Sequence, residues 1–326
     1  MTVIKRMTLN RRALLTAGAA AIFLPADARA QPYPSRIIRI IVPFAAGGGS
    51  DIVARLVGDR LSKRLQQTVI IENKPGAGAI IGADSVAKSA PDGYTLLFAT
   101  PGPQILNPHL VKPLPYDPKD FVGVATLLMS VNLMVVNPNV PAKTVRELID
   151  YAKANPGKLN FSSSGIGTSS HLAGELFKSM AGVDITHVPY RGNALALQDL
   201  MAGNVQIAID AISAMLPHAR SGALRALGIA APDRSTVASE IPTIAETLPG
   251  YDASSINYIS APAGTPAPIV EQLNREINAI MAEPEVRNRI VELGLVPISE
   301  SSADLERRIA AESEKWRKVI EQMPAK

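Results

Sequence analysis

The sequence of 326 residues contains no cysteine, so it can form no disulfide and offers no thiolate for catalysis, redox chemistry or metal binding. Its four histidines are widely spaced, without a His-x-x-x-His pair or a glutamate-rich cluster, and this spacing predicts no metal site. Neither a fixed-period repeat nor a low-complexity tract is present, which disfavours solenoids and propellers. Beyond the N-terminal region, no segment approaches the roughly 20 uncharged apolar residues of a transmembrane helix.

The first 30 residues have the features of a cleavable export signal. Four basic residues within positions 5–12 precede an apolar run over residues 13–24, and the small-x-small sequence Ala28-Arg29-Ala30 follows. We predict cleavage after Ala30 and a periplasmic location. The pair Arg11-Arg12 partly matches a twin-arginine signal. A retained anchor is disfavoured because the apolar run is too short to span a bilayer.

The excess of basic residues belongs to this leader. Residues 1–30 hold five of the 33 lysines and arginines and one of the 29 acidic residues, which leaves 28 of each sign in the mature chain. The mature protein therefore has a formal net charge of zero. No long basic run remains to neutralise a phosphate backbone, so nucleic-acid binding is not expected.

The rest of the chain alternates short apolar runs with helical periodicity. This pattern is typical of βαβ units and of a largely parallel sheet. The first block of units ends before residues 100–119, where six prolines predict a surface loop. A second block opens a helix at Thr144, an apt N-cap with Glu147 at the capping-box position.

Three late helical segments from Pro268 onward are expected to pack back on the first block. We therefore predict two α/β lobes, residues 31–131 plus 256–326 and residues 132–255. Two strands, near Ser130 and Ser255, would join the lobes, and such a connection suits hinge closure around a ligand.

Two loops of small residues each lie between a predicted strand and a helix. The first loop, residues 45–51, contains three successive glycines, and the second loop, residues 162–170, is rich in serine and glycine. Backbone N–H groups in such loops, together with the positive end of the following helix, favour an anion. The alternative is a tight turn whose Ser, Thr or Asp only caps the helix. A pair of such loops, one opening each lobe, favours a cleft with an anion seat on both walls.

Five motifs, in this order, resemble the Bug proteins, the TctC family of periplasmic substrate-binding components of tripartite tricarboxylate transporters. The similarity covers essentially residues 35–322. The motifs are Pro43-Phe44-Ala45-Ala46-Gly47-Gly48-Gly49-Ser50-Asp51, Glu72-Asn73-Lys74-Pro75-Gly76-Ala77-Gly78, Pro91-Asp92-Gly93-Tyr94, Val188-Pro189-Tyr190-Arg191-Gly192 and Ala261-Pro262-Ala263-Gly264-Thr265-Pro266.

The resemblance implies a two-lobed periplasmic-binding-protein fold, type II-like. Each lobe would be a mixed, mainly parallel sheet flanked by helices. It also implies closure on a small carboxylate without chemical conversion or a cofactor. The partners implied are the ligand, a di- or tricarboxylate or an aromatic or amino acid, and integral-membrane transporter subunits. The protein is expected to be a monomer that serves uptake or sensing.

Carried over by the resemblance, ligand-binding residues lie on both walls of the cleft. One wall holds Phe44, Gly48, Gly49, Ser50 and Asp51, with Ala46 where many relatives have proline, and the other holds Ser164, Gly165, Gly167, Thr168 and His171.

Several of these residues have a second interpretation. Asp51 is either in the pocket floor or caps its helix, and capping is favoured. His171 either donates to an anion or packs. Asp210 either caps or faces the ligand, where its charge would favour an amine, hydroxyl or water. Arg191 pairs with a carboxylate or stiffens the turn that follows Tyr190. Thr100, Gln104 and Asn107 are neutral polar candidates.

The rival from another class is an exported serine-dependent hydrolase acting on a small carboxylate ester. The serines at 162–164 and the histidines supply a nucleophile and a base. However, Phe161 and Ser162 occupy the positions where the first glycine of a Gly-x-Ser-x-Gly elbow would be needed. The glycines at 47–49 also lack the Lys-Ser/Thr ending of a P-loop and the spacing of a dinucleotide fingerprint, so a nucleotide cofactor is not expected.

Overall fold

The computed structural model describes residues 33–190 and 192–321. The predicted signal peptide and its cleavage site, and Arg191, lie outside the described residues. From Arg36 onward the described residues form one compact unit.

Eleven strands are described within this part of the chain. They are β1 Ile38–Val42, β2 Val69–Asn73, β3 Thr95–Ala99, β4 Phe121–Ser130, β5 Asn132–Val136, β6 Leu159–Ser163, β7 Ile185–Pro189, β8 Ile207–Ala211, β9 Arg225–Ile229, β10 Ser255–Pro262 and β11 Leu295–Pro297.

Ten α-helices accompany these strands in the described ranges. They are α1 Gly49–Leu65, α2 Ile80–Ala87, α3 Asn107–Leu110, α4 Val145–Ala154, α5 Ser169–Ala181, α6 Asn193–Ala202, α7 Ile212–Arg220, α8 Ala267–Ala282, α9 Pro284–Glu292 and α10 Ser302–Glu321.

The strands form two mixed sheets. The first sheet has the order β11-β4-β10-β3-β1-β2, and the second has the order β7-β6-β8-β5-β9. Parallel pairs join β2, β1 and β3 in the first sheet and β7, β6 and β8 in the second. Antiparallel pairs attach β10, β4 and β11 to the first sheet, and β5 and β9 to the second. Helices flank both sheets, as predicted.

Local sequence explains where the elements begin and which face they bury. Strand β1 is buried except at Arg39, which fits its near-continuous apolar sequence. Helix α1 buries Val53, Val57 and Leu61, which recur at helical spacing. Helix α4 starts where predicted, because the Thr144 hydroxyl accepts a hydrogen bond from the Glu147 N–H at 3.1 Å.

The chain passes between the sheets at adjacent places. Strand β4 ends at Ser130 in the first sheet, and β5 begins two residues later in the second. The return strand β10 begins at Ser255, which pairs directly with Ser130. The two crossings therefore lie side by side.

The late helices pack on the first sheet, as predicted. Helices α8 and α10 contact β4, and α10 also contacts α5 of the second sheet. One buried apolar cluster includes Leu97 of the first sheet, Phe161 of the second and Trp316 of α10. Thus α10 connects the two sheets through apolar packing, and the lone tryptophan packs in this core.

The loop predicted over residues 100–119 is wrong for its first half. A π-helical turn, Gly102–Leu106, leads directly into the short helix α3. Helical structure is tolerated because Pro103 lies in the first turn, where a missing N–H breaks no hydrogen bond. Pro108 lies further along the same helical run, and the Pro103 carbonyl instead accepts a hydrogen bond from the Tyr116 hydroxyl at 3.0 Å. Among all helices in the described ranges, none has the length and apolar character of a membrane span.

Candidate functional site

A cleft of about 680 Å³ lies where the two sheets meet. Its walls begin at the carboxyl ends of parallel strands, since Phe44 follows β1, Thr100 follows β3 and Ser164 follows β6. Open α/β sheets characteristically bind ligands at this edge. The lining residues are Phe44, Ala77, Gly78, Ala79, Thr100, Pro101, Gly102, Leu106, Asn107, Leu110, Val111, Ser130, Ser164, Ile166, Gly167, Thr168, Ser169, Ser255 and Asn257.

The second loop supplies the wall on the side of the second sheet. Three of its predicted residues, Ser164, Gly167 and Thr168, line the cleft. The Thr168 hydroxyl is the N-cap of α5 and donates to the Gly165 carbonyl at 2.6 Å. The Ser164 N–H donates to the Ser170 hydroxyl at 3.0 Å. Gly165 is not among the lining residues, and it shapes the loop through its carbonyl, which accepts this bond from Thr168.

Two histidines, the buried His171 and the half-buried His187, support this loop from behind. His171 is 2% exposed, and its Nδ1 accepts a hydrogen bond from the Gly167 N–H at 3.1 Å. Its ring stacks on His187 with 4.0 Å between centroids, and His187 Nε2 lies 2.6 Å from the Ser163 hydroxyl. His171 is not among the lining residues, so its packing interpretation describes the structure: it positions Gly167.

The first loop contributes less to the cleft than expected. Phe44 lines it, but Ala46, Gly48, Gly49, Ser50 and Asp51 do not. The physical reason lies in Asp51, which is 3% exposed and draws the loop toward its own helix and β2.

The Asp51 carboxylate accepts hydrogen bonds from three donors, all outside the cleft lining. They are Arg55 Nε at 3.0 Å, the Gly47 N–H at 2.9 Å and Asn73 Nδ2 at 2.9 Å. The bond from Arg55, with help from Gly47 and Asn73, lowers the pKa of Asp51 from 3.8 to about 2, despite the opposing effect of burial. None of these three donors is a first-turn N–H of α1, so Asp51 ties the first loop to α1 and β2 instead of capping its helix.

Three other candidates are engaged elsewhere. Gln104 is buried and its side-chain oxygen accepts a hydrogen bond from the Ser260 hydroxyl at 2.7 Å. The Tyr190 hydroxyl donates to Asp199 at 2.7 Å. Asp210 is 6% exposed, and it accepts hydrogen bonds from the Ala211 N–H at 2.7 Å and from Ser170. Burial raises the pKa of Asp210. None of the three lines the cleft.

A turn that the sequence did not assign to the site forms part of the opposite wall. Residues 77–79 are in the left-handed region, with φ of +46°, +62° and +75°. Two of the three are alanines, for which this conformation is costly. Asn107 Nδ2 donates to the Gly78 carbonyl at 3.0 Å and holds the turn. The Gly76-Ala77-Gly78 motif was the available signal.

The histidines lie closer together than their sequence spacing suggested. Ligand atoms of His171, Glu175 and His187 lie within 4.8 Å of one another. Because His171 Nδ1 accepts a backbone N–H, the neutral ring carries its proton on Nε2, which faces Glu175 at 3.9 Å and offers no lone pair. Burial raises the pKa of Glu175. The cluster is thus arranged to hold the second loop rather than a cation.

Ser163 and His187 lie as close together as a catalytic nucleophile and its base, but a substrate cannot reach the Ser163 hydroxyl. Ser163 is fully buried and does not line the cleft. A substrate in the cleft would not reach its hydroxyl. The Ser164 hydroxyl does line the cleft, but its hydrogen-bond partner is the Ser170 hydroxyl at 3.0 Å and not a histidine base, so the geometry disfavours the hydrolase alternative.

Comparisons with known proteins agree on one family. The family described as "Tripartite tricarboxylate transporter family receptor", TctC, matches residues 53–324. Protein BugT of Bordetella pertussis is 37% identical over 96% of this chain and 95% of its own length.

Two solved structures give the same result and the same two-sheet periplasmic-binding-protein fold. One is R. palustris Rpa4515 with adipate. Its sequence is 38% identical to this chain, and the two structures match with a TM-score of 0.76 over 89% of this chain and 97% of that protein. The other is MatC from Rhodopseudomonas palustris with bound malate. Its sequence is 34% identical to this chain, and the structures match with a TM-score of 0.73 over 88% of this chain and 100% of that protein. The TctC family is a family of binding proteins and is non-enzymatic. The chain belongs to the TctC family, the periplasmic solute-binding receptors of tripartite tricarboxylate transporters.

Proposed function

We propose that this protein captures a small organic carboxylate in the cleft and releases it unaltered, for uptake by membrane subunits or for sensing. The capturing lobes are residues 31–131 plus 256–326 and residues 132–255. The protein acts as a monomer after export and cleavage behind Ala30, by a route for which Arg11-Arg12 favours the twin-arginine pathway.

The observation that carries this proposal is the second loop. It places Ser164, Gly167 and Thr168 in the cleft at the N-terminus of α5, a helix of 13 residues. The Ser164 and Gly167 N–H groups donate within the loop, so the N–H groups that begin α5 and the helix dipole are what favour a carboxylate here. The relatives described above with adipate and malate support the same class of ligand.

The connection between the sheets supports capture by closure. The crossing strands β4 and β10 pair at Ser130 and Ser255, and both residues line the cleft. A small change of backbone angles at these adjacent positions would rotate one wall toward the other, as in hinge closure around ligands.

A thermal-shift panel with recovery of the ligand tests the proposal. The mature protein is melted with succinate, glutarate, adipate, malate, citrate and benzoate, and with dimethyl adipate as the uncharged control. A ligand at about 100 times its dissociation constant adds about 2.7 kcal/mol of stability. We expect a rise in melting temperature with at least one acid, none with the ester, and intact ligand by mass spectrometry.

Two results would contradict the proposal. If no acid raises the melting temperature, the protein does not capture these carboxylates. Conversion of a bound acid or hydrolysis of the ester would return the hydrolase to consideration.

A further inference from the structure

We propose that a second space between the two sheets, a groove on the far side of the crossing strands from the cleft, controls how far the cleft opens. A side chain that fills this groove holds the cleft closed and raises the affinity for a carboxylate without any contact to the ligand. This inference rests on the proposed function and names a conformational control of the same site.

The order of strands places the groove opposite the cleft. In the first sheet, β10 and β4 separate β1 and β3, whose carboxyl ends border the cleft, from the edge strand β11. In the second sheet, β5 separates β6, which leads into the cleft, from the edge strand β9. The groove, of about 550 Å³, is lined by Gly294 directly before β11, by Val237 in the segment after β9, and by α7. Cleft and groove therefore lie on opposite sides of the crossing.

Both walls of the groove are anchored at the crossing itself. Ile212, the first residue of α7, donates its N–H to the Val131 carbonyl at 3.0 Å. Leu295, the first residue of β11, pairs with Ser130. Since the chain passes from one sheet to the other at residues 130–132, a rotation there that narrows the cleft widens the groove, and a rotation that widens the cleft narrows the groove.

The groove has little room to narrow further. A Cβ added at Gly294 would lie 3.2 Å from Ser213 Cβ and 3.4 Å from Ile212 Cγ2. Less than the space of one methyl group thus separates the turn before β11 from α7. Packed atoms resist such compression, so this contact stops the cleft from opening beyond the width that it permits.

An apolar contact between the walls also favours the narrow groove. Met129 of β4 and Val296 of β11 pack against the buried cluster of the second sheet that contains Ile212 and Leu216. A rotation that closes the cleft separates part of this contact and exposes apolar surface, which costs free energy. The free protein therefore keeps its closed form as a minor population, and its apparent affinity is reduced in proportion to that population.

A larger side chain on α7 tests this control. Ser213→Phe places a ring in the groove from an exposed position in the first turn of α7. By calorimetric titration with the six acids of the thermal-shift panel, we expect each acid that binds to bind at least threefold more tightly, because the closed population rises. Ala154→Phe, at an exposed position of α4 outside both the cleft and the groove, is the control and should leave affinity unchanged.

A matched pair of glycines tests the opposite wall. Gly294→Ala adds one methyl group at the contact with Ser213, at a φ of +74°. Gly182→Ala adds the same group at a similar φ of +60°, with no described atom within 4 Å. Both variants should lose stability to left-handed strain, but only Gly294→Ala should bind the acids more tightly, by about twofold.

Small-angle X-ray scattering without any acid tests the groove independently of binding. We expect a smaller radius of gyration for Ser213→Phe than for the unsubstituted mature protein and for Ala154→Phe. Wild-type affinity and unchanged scattering in both groove variants would overturn the inference and leave carboxylate capture intact. Binding of none of the acids by any variant would overturn carboxylate capture, and the scattering comparison would still decide whether the groove controls opening.

Discussion

The carboxylate of Asp51 holds the first loop against α1 and β2. A carboxylate at the third position of a helix after a glycine loop suits either ligand binding or a structural role, and the deciding fact is three-dimensional. Asn73 of β2 and Arg55 of α1 both reach its oxygens. That meeting depends on the pairing of β1 with β2, which local sequence does not specify.

Replacement of Asp51 by asparagine should destabilise the protein in a pH-dependent way. The folded-state pKa of about 2 is below the ordinary value of 3.8, so the stabilisation is present above about pH 4 and is lost as the pH falls toward 2. We expect Asp51→Asn to lower the free energy of unfolding by about 1–2 kcal/mol at pH 7, since Arg55 is half exposed and its bond is partly screened. Urea unfolding at pH 7 and pH 2.5 measures this, and an equal loss at both pH values would contradict it.

His171 is the second residue whose role depends on its surroundings. It lies 16 positions before His187, and this spacing alone provides no reason to join the two. The register of β6 with β7 places His187 opposite Phe161, beside the start of α5. Strand pairing therefore builds the support that spacing alone could not predict.

Replacing His171 by an aromatic residue that lacks the Nδ1 acceptor tests whether His171 supports the second loop. His171→Phe keeps an aromatic ring against His187 but leaves the Gly167 N–H without its partner. We expect carboxylate affinity to fall by about 1 kcal/mol, or roughly fivefold, because the second loop loses a positioning hydrogen bond. His218→Phe, on α7 and outside the lining, is the matched control for calorimetry. Equal affinities would show that the loop does not need this bond.

At the scale of elements, the strands and the long helices follow from apolar periodicity, and the exceptions are short. The π-helical turn and α3 escaped prediction because prolines normally oppose helices, and the compensating bond from the Tyr116 hydroxyl to the Pro103 carbonyl is a contact that local sequence does not reveal. Strand β11 has three residues, too few for a periodic signal. The turn at residues 77–79 is unusual because alanines adopt left-handed conformations there.

The strain in that turn predicts the effect of a glycine. Ala77 is exposed with φ of +46°, so Ala77→Gly relieves the left-handed cost without loss of apolar burial. We expect unfolding stability to stay the same or to rise by up to about 1 kcal/mol. Ala83→Gly, in the buried interior of α2, should instead lose about 1 kcal/mol or more. Thermal unfolding compares the two, and equal losses would contradict the assigned strain.

At the scale of the whole molecule, the two-sheet arrangement and its neighbouring crossings agree with the sequence pattern. The residues that line the cleft agree only in part with the residues predicted to bind the ligand. The lining depends on how the two sheets face each other, and no motif encodes that. Of the predicted binding residues, six line the cleft: Phe44, Thr100, Asn107, Ser164, Gly167 and Thr168. Asn257 and Ser255 also line it and were not predicted, because ordinary strand residues carry no local signal.

The contact between Gly167 and Leu110 links the second loop to α3 across the cleft. Gly167→Ala would place a Cβ 3.2 Å from Leu110 Cδ1 at a φ of +79°. We expect a loss of about 1–2 kcal/mol in stability and at least tenfold in affinity, because both the loop and the approach of the walls are disturbed. Gly182→Ala is the control, with φ of +60° and no neighbour within 4 Å. It should lose stability without a change in affinity, and equal affinity losses would contradict the link.

The most direct test uses the absence of cysteine. Lys88→Cys and Gln198→Cys together provide two exposed labelling sites, at the end of α2 and on α6, in an otherwise cysteine-free chain. Double electron–electron resonance then measures the distance between spin labels with and without the acid that gives the largest thermal shift. The account predicts a shorter and narrower distance distribution with the acid. Identical distributions, with saturation verified by calorimetry, would contradict capture between two lobes.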